Sequence, residues 1–193
     1  MSNDPDLKRL ETEVSQAIES GQTGSNFWVN GCRQTQNLTR METAAPSVMI
    51  PIVGRKRILA AQQQYDAKPG EVLILPAGMR FDLENIPEPG KNRFLGASLV
   101  FDRQTIDLFQ KAYAADMPDW RMTPQWKARE STEIFSTISD WLAHDRRFSA
   151  DIARTRHRLA ELLLLLARQG LAGNLLVSRQ STLRDRIKQQ LSF

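Results

Sequence analysis

Few side chains in this 193-residue chain have the types and spacing from which chemistry could be built. The only histidines are His144 and His157, the only cysteine is Cys32, and both imidazoles lie in a stretch of helical periodicity. A general acid–base pair needs two titratable groups within reach of one substrate. A first-row metal needs three or four converging N, O or S ligands. The lone cysteine excludes an internal disulfide and a thiolate cluster. The β-rich stretch offers Tyr65, with Glu42 just before it, and neither has a visible partner for proton transfer. The chain therefore reads as a binding or interaction protein and not as an enzyme.

The elements around these residues follow from periodicity. Residues 6–20 place Leu7, Leu10, Val14, Ala17 and Ile18 at helical spacing, with Gly21 as a stop. Residues 22–46 are polar and read as loops and short strands. From Val48 to Phe101 the segments VMIPIVG, RILAAQQQY, EVLILPAG, MRFDLEN and RFLGASLVFD are short and rich in Val, Ile, Leu and Phe. Gly54, Gly70, Pro76, Gly78 and the PEPG at 87–90 punctuate them, as in an antiparallel sandwich or barrel. After Phe101 the period turns helical. Asp102 is placed to cap a helix reaching about Ala115, and a second helix spans about 130–145 with Ile134, Ile138, Trp141 and Leu142 inward. Ser149 is placed to cap a third, reaching Gln169 and closed by Gly170. A loop follows, and then LRDRIKQQL, with Leu183, Ile187 and Leu191 on one face.

Between Ser47 and Asn85 the chain resembles the cupin superfamily of small β-barrels. Its second motif is a Gly, five residues, Pro-x-Gly, two residues, a His, three residues and an Asn. Gly70, Pro76, Gly78 and Asn85 hold every place but the His, which is Phe81. The first motif ends in a Glu, six residues and a Gly; Ser47 stands in the Glu place before Gly54. The resemblance implies that the remaining metal-ligand places fall near Arg40 and Glu42, or near Met41 and Thr43. None is a histidine, so no metal or other cofactor is expected. Two-residue alternation puts Met79 and Leu83 on the face of Phe81, and Met49 and Pro51 on the face of Ser47. A cavity lined by Ser47, Met49, Met79, Phe81 and Leu83 suits a small, partly apolar ligand. The same residues could equally fill a solid core.

The order of parts is similar to AraC-type transcription regulators: an N-terminal helix, a barrel with a V-G-R-K-R turn (Val53 to Arg57), then helices. The fold class expected is thus mainly β with α, a cupin-type jelly-roll barrel followed by a helical dimerisation region. The division is an arm at 1–24, a barrel at 25–101, helices at 102–170, and at 171–193 a linker with the start of a helix-turn-helix domain. That family implies a small-molecule effector, a homodimer, and DNA as the partner of a domain carried by a longer parent protein. The leucines 162–166 make the third helix apolar all round. The stripe Ile152, Leu159, Leu163 and Leu166 is expected to meet a second copy. Rival readings are a metal-independent isomerase- or epimerase-like cupin enzyme and a freestanding interaction protein.

Charge is uneven, with a net of −3 over residues 1–24 and +5 over 150–193. The basic end could lie near nucleic acid or simply be the wet face of amphipathic helices. The opening residues lack a secretory h-region, and no apolar run is long enough to span a bilayer. A cytoplasmic protein is expected.

Overall fold

The computed structural model describes residues 4–21, 24, 26–113, 127–129, 132–145 and 151–176. Helix α1 (Pro5–Glu19) precedes β1 (Phe27–Cys32), β2 (Gln36–Glu42), β3 (Ser47–Val53), β4 (Arg55–Ala60), β5 (Gln63–Ala67), β6 (Glu71–Leu75), β7 (Arg80–Ile86) and β8 (Phe94–Val100). Then come α2 (Arg103–Tyr113), β9 (Lys127–Arg129), α3 (Thr132–Asp145), α4 (Ile152–Arg168) and the single turn α5 (Gly173–Leu176). No helix among the described residues is long and apolar enough to cross a membrane.

The strands form two antiparallel sheets with orders β1-β8-β3-β6-β9 and β2-β7-β4-β5. They face one another across an apolar layer that includes Leu73 and Leu75 of the first and Ile58, Phe81 and Leu83 of the second. The result is the expected cupin-type β-sandwich with helices. Because side chains alternate along a strand, β3 and β6 of the first sheet serve two cores. Val48, Ile50 and Ile52 of β3 join α1 and the later helices, while Met49 turns inward between the sheets.

Tight turns close this sandwich. Gly54 has φ +81°, and a Cβ there would come within 2.3 Å of the Ile86 carbonyl oxygen, so only glycine fits between β3 and β4. The Pro76-x-Gly78 turn is pinned by Thr43. Its Oγ1 donates to the Pro76 carbonyl at 2.6 Å and accepts from the Met79 N–H at 2.9 Å. The segment RILAAQQQY is not one strand but a hairpin: Ala60 pairs with Gln63, leaving the two-residue turn Ala61-Gln62 with φ of 47° and 64°. A two-residue turn with both φ positive is usually signalled by Asn-Gly or Asp-Gly, and neither is present. Relieving the left-handed strain with Gln62→Gly is expected to stabilise the chain by about 1 kcal/mol, read as a higher urea midpoint at unchanged m-value. A lower midpoint would show the glutamine side chain to be engaged.

The helices cover the outer face of the first sheet. Asp4 caps α1 by accepting from the Asp6 N–H at 2.9 Å, and Leu7, Leu10, Val14 and Ala17 are buried. Glu11 ties α1 to the β7–β8 connection through Lys91 at 2.8 Å and Arg93 at 2.6 Å. Burial pushes its carboxyl upward, but the two cations outweigh that and hold it below the ordinary range. Asp102 caps α2 as expected, accepting from the Thr105 N–H at 2.7 Å. The α3 residues Ile134, Ile138, Trp141 and Leu142 are all buried.

Helix α4 departs from expectation in three ways. Its cap is Asp151, accepting from the Ala153 N–H at 2.9 Å; Ser149 lies outside the described residues. Its C-terminus closes on Gly170 (φ 72°) as expected, with paired bonds, Gly170 N–H to Ala167 O at 2.9 Å and Leu171 N–H to Leu166 O at 2.8 Å, a Schellman ending. Residues 171–176, expected as loop, turn back so that Leu171, Ala172, Leu175 and Leu176 are buried. Most important, Leu159 and Leu163 are fully buried and Leu166 is 2% exposed, in the same core as α1, α2 and α3. The chain's own elements cover these leucines, so they are not a face offered to a second copy. Of the expected stripe only Ile152 is open, at 67% exposure. The segment LRDRIKQQL lies outside the described residues.

Candidate functional site

The inner faces of the two sheets converge on a layered interior. Register fixes the layers on the second sheet. Asn85 of β7 stands between Gln36 of β2 and Lys56 of β4, and Lys56 is opposite Ala67 of β5. The next row is apolar, with Leu83 between Leu38 and Ile58, and Ile58 opposite Tyr65. Phe81, Ala60 and Met79 lie beyond it. Across from them, the first sheet presents Cys32 beside Phe94, then Asn30, Gly96 and Pro51, then Trp28, Ser98, Met49 and Leu73, then Ser47 and Leu75.

The residues expected to line a cavity are thus brought together. Phe81, Leu83 and Met79 are buried between the sheets, and Met49 packs against them half-buried. Ser47 is 3% exposed at the same level as Leu75, and its Oγ has no hydrogen-bond partner among the described residues. The ligand places implied by the metal-binding cupins hold a serine and a phenylalanine, and Thr43 is committed to the Pro76 turn. Those residues do not fit a metal. Among the described residues no three His, Cys, Asp or Glu side chains are gathered to hold one. His144 lies beside Arg154 on the helical layer, and His157 is exposed on α4.

The interior is closed on one side and open on the other. At the β5–β6 side Ala67 and Leu73 are buried. Along the β1–β2 edge the inward side chains remain reachable: Trp28 is 43% exposed, Met41 37%, and Leu38, Met49 and Ser98 are half-buried. A separate open depression of about 610 Å³ lies where β2, β4 and β7 meet solvent, with Phe81 and Ala60 among its lining. There Glu42 Oε2 accepts from Arg80 Nε at 3.2 Å, and Asp82 Oδ1 accepts from the Arg40 backbone N–H at 2.8 Å.

Lys56 escaped the sequence reading. The V-G-R-K-R run looked like a basic turn, yet alternation with Ile58 and Ala60 sends Lys56 inward while Arg55 and Arg57 point out. That phase was the available signal. Arg57 donates to Asp66 at 2.8 Å and to Glu84 at 3.0 Å on the outer face. Lys56 is 2% exposed, and its ammonium lies 5.3 Å from the centre of the Phe94 ring. Gly96 makes room for that ring, because a Cβ there would meet it at 2.8 Å. Burial lowers the lysine to about 8, while the nearby Cys32 thiol acts to raise it. The Cys32 thiol is itself pushed up by burial, against the pull of Lys56.

No protein-family model matches the chain, and no curated protein matches it in sequence. Solved structures share its fold. ToxT from Vibrio cholerae bound to (E)-4-(8-methylnaphthalen-1-yl)but-3-enoic acid superimposes with a TM-score of 0.57 at 7% identity, covering 86% of this chain and 65% of that one. Wild-type ToxT from the same organism with an unsaturated fatty acid bound gives 0.52 at 8% identity, covering 89% and 66%. At these identities the likeness is one of fold.

Proposed function

We propose that this chain is the effector-sensing part of an AraC-type transcription regulator. A small organic molecule lies between the sheets, the helices carry its effect to a DNA-reading domain of the parent protein, and the site performs no catalysis. Like other DNA-directed regulators, it works in the cytoplasm. The observation that carries this reading is the open β1–β2 edge, where inward apolar side chains stay within reach of solvent. The shared fold of ToxT, an AraC-family regulator, supports it, as do the organic acids bound in the ToxT structures. Pairing of two copies belongs to the same reading but no longer rests on Leu159, Leu163 and Leu166.

Thermal denaturation against a panel of organic acids, alcohols and sugars tests the proposal. A ligand at 100 times its Kd adds about 2.7 kcal/mol, or ~5–10 °C for a domain of this size. A panel in which nothing raises the melting temperature counts against the reading. Met49→Trp places an indole in the accessible part of the interior. It is expected to abolish the ligand-induced rise while leaving the ligand-free stability within about 1 kcal/mol. Overpacking a solid core instead costs ~1–3 kcal/mol, and such a loss with no ligand phenotype would mean that the sandwich is filled.

A further inference from the structure

The row formed by Gln36, Asn85 and Lys56 is polar, stands beside the apolar row of Leu38, Leu83 and Ile58, and is incomplete. Lys56 has no hydrogen-bond or ion-pair partner among the described residues; its neighbours are an aromatic face and a thiol. Asn85 is 1% exposed, donates through Nδ2 to Gln36 Oε1 at 2.9 Å, and leaves Oδ1 without a partner among the described residues. Buried charges in proteins are normally paired, because an isolated one is expensive to desolvate. A lysine stem can usually carry its head back to water, yet this one stays inside.

We propose that Lys56 is the anchor for the carboxylate of an organic acid whose apolar body lies along Leu38, Leu83, Ile58 and Met49. This deepens the effector-binding reading and rests on it. The charge of the ligand follows from the unpaired ammonium, and the apolar body from the row above it. A sugar would need polar partners along its whole length, and Leu38, Leu83 and Ile58 on the second sheet supply none. Length follows from the strands. The four steps from Lys56 to Ala60 cover ~13 Å, which suits a chain of about eight carbons with its carboxylate. A water donating to both the carboxylate and Asn85 Oδ1 completes the row.

Titration calorimetry with octanoate and octan-1-ol, on the wild type and on Lys56→Met, separates the parts of this proposal. Octanoate is expected to bind the wild type at least tenfold more tightly than octan-1-ol. Lys56→Met, checked by circular dichroism, should weaken octanoate at least tenfold and leave octan-1-ol within twofold. If the variant does not fold, the wild type alone decides. Its octanoate affinity should then fall as pH rises from 7 to 9.5, while its octan-1-ol affinity stays constant. Equal binding of both probes, insensitive to the substitution or to pH, overturns the anchor and leaves the sandwich as a ligand site. Failure of both probes to bind at millimolar concentration overturns the anchor together with the reading beneath it.

Discussion

Changing Leu159 and Leu163 together to aspartate is expected to leave the chain without a cooperative thermal transition, and not to yield a folded monomer. Both side chains are fully buried in the core shared by α1, α2, α3 and the first sheet. Removing a buried leucine costs about 2–5 kcal/mol, and each unpaired buried carboxylate adds several more. The total stability of a domain is only ~5–15 kcal/mol. Circular dichroism on heating, with light scattering on the same samples, gives the answer. A well-folded monomeric double variant of a dimeric wild type would show that these leucines meet a partner, and the packing of α4 given above would be wrong.

At pH 7, Lys56→Met is expected to be more stable than the wild type by about 3 kcal/mol, an unusual sign for a substitution at a buried site. Burial holds the lysine at about 8 in the folded chain, against 10.5 for an ordinary lysine. Below pH ~8 both folded and unfolded chains carry the proton, so the whole burial penalty acts. Between about 8 and 10.5 the unfolded chain keeps a proton that the folded chain has lost, so wild-type stability rises with pH. The advantage of methionine therefore shrinks across that window and is gone above it. Cys32 is the titratable neighbour acting on Lys56, so urea titrations from pH 6 to 10 belong in a Cys32→Ala background. A variant less stable than the wild type at pH 7 would mean that the ammonium holds favourable contacts worth more than its desolvation.

What the sequence shows and hides here follows from how local each cause is. Gly54, Gly70 and Gly78 are legible because their positive φ is a property of one residue, and their spacing marks the turns. The Asp102 cap is legible for the same reason. The β4–β5 hairpin is not, because Ala61 and Gln62 adopt left-handed angles without the residues that usually announce them. Strand β9 joins the edge of the first sheet through backbone pairing with β6, which leaves little imprint on side-chain pattern. The leucines of α4 show that the helix must be covered, but apolar residues on all sides cannot say by what. The lining residues Met49, Met79, Phe81 and Leu83 were within reach of alternation. Lys56 obeyed the same rule, but two flanking arginines disguised it.

The distance along the chain between α1 and its seat has a consequence for synthesis. Arg9 of α1 meets Asp140 of α3 across 131 residues of sequence. At ~5–20 residues per second, roughly 7–26 s separate the appearance of the two on a ribosome. In the last ~2–8 s of that interval, between Val100 and Asp140, strands β1 to β8 are already made, while Val48, Ile50, Val72 and Leu99 on the outer face of the first sheet still lack part of their cover. The nascent chain thus passes through a stage in which the first sheet lacks the cover of α3 and α4, and α1 lacks its α3 partner. That stage is the natural point for a holding chaperone to act, and the point at which slow decoding between β8 and α3 would cost the most soluble protein.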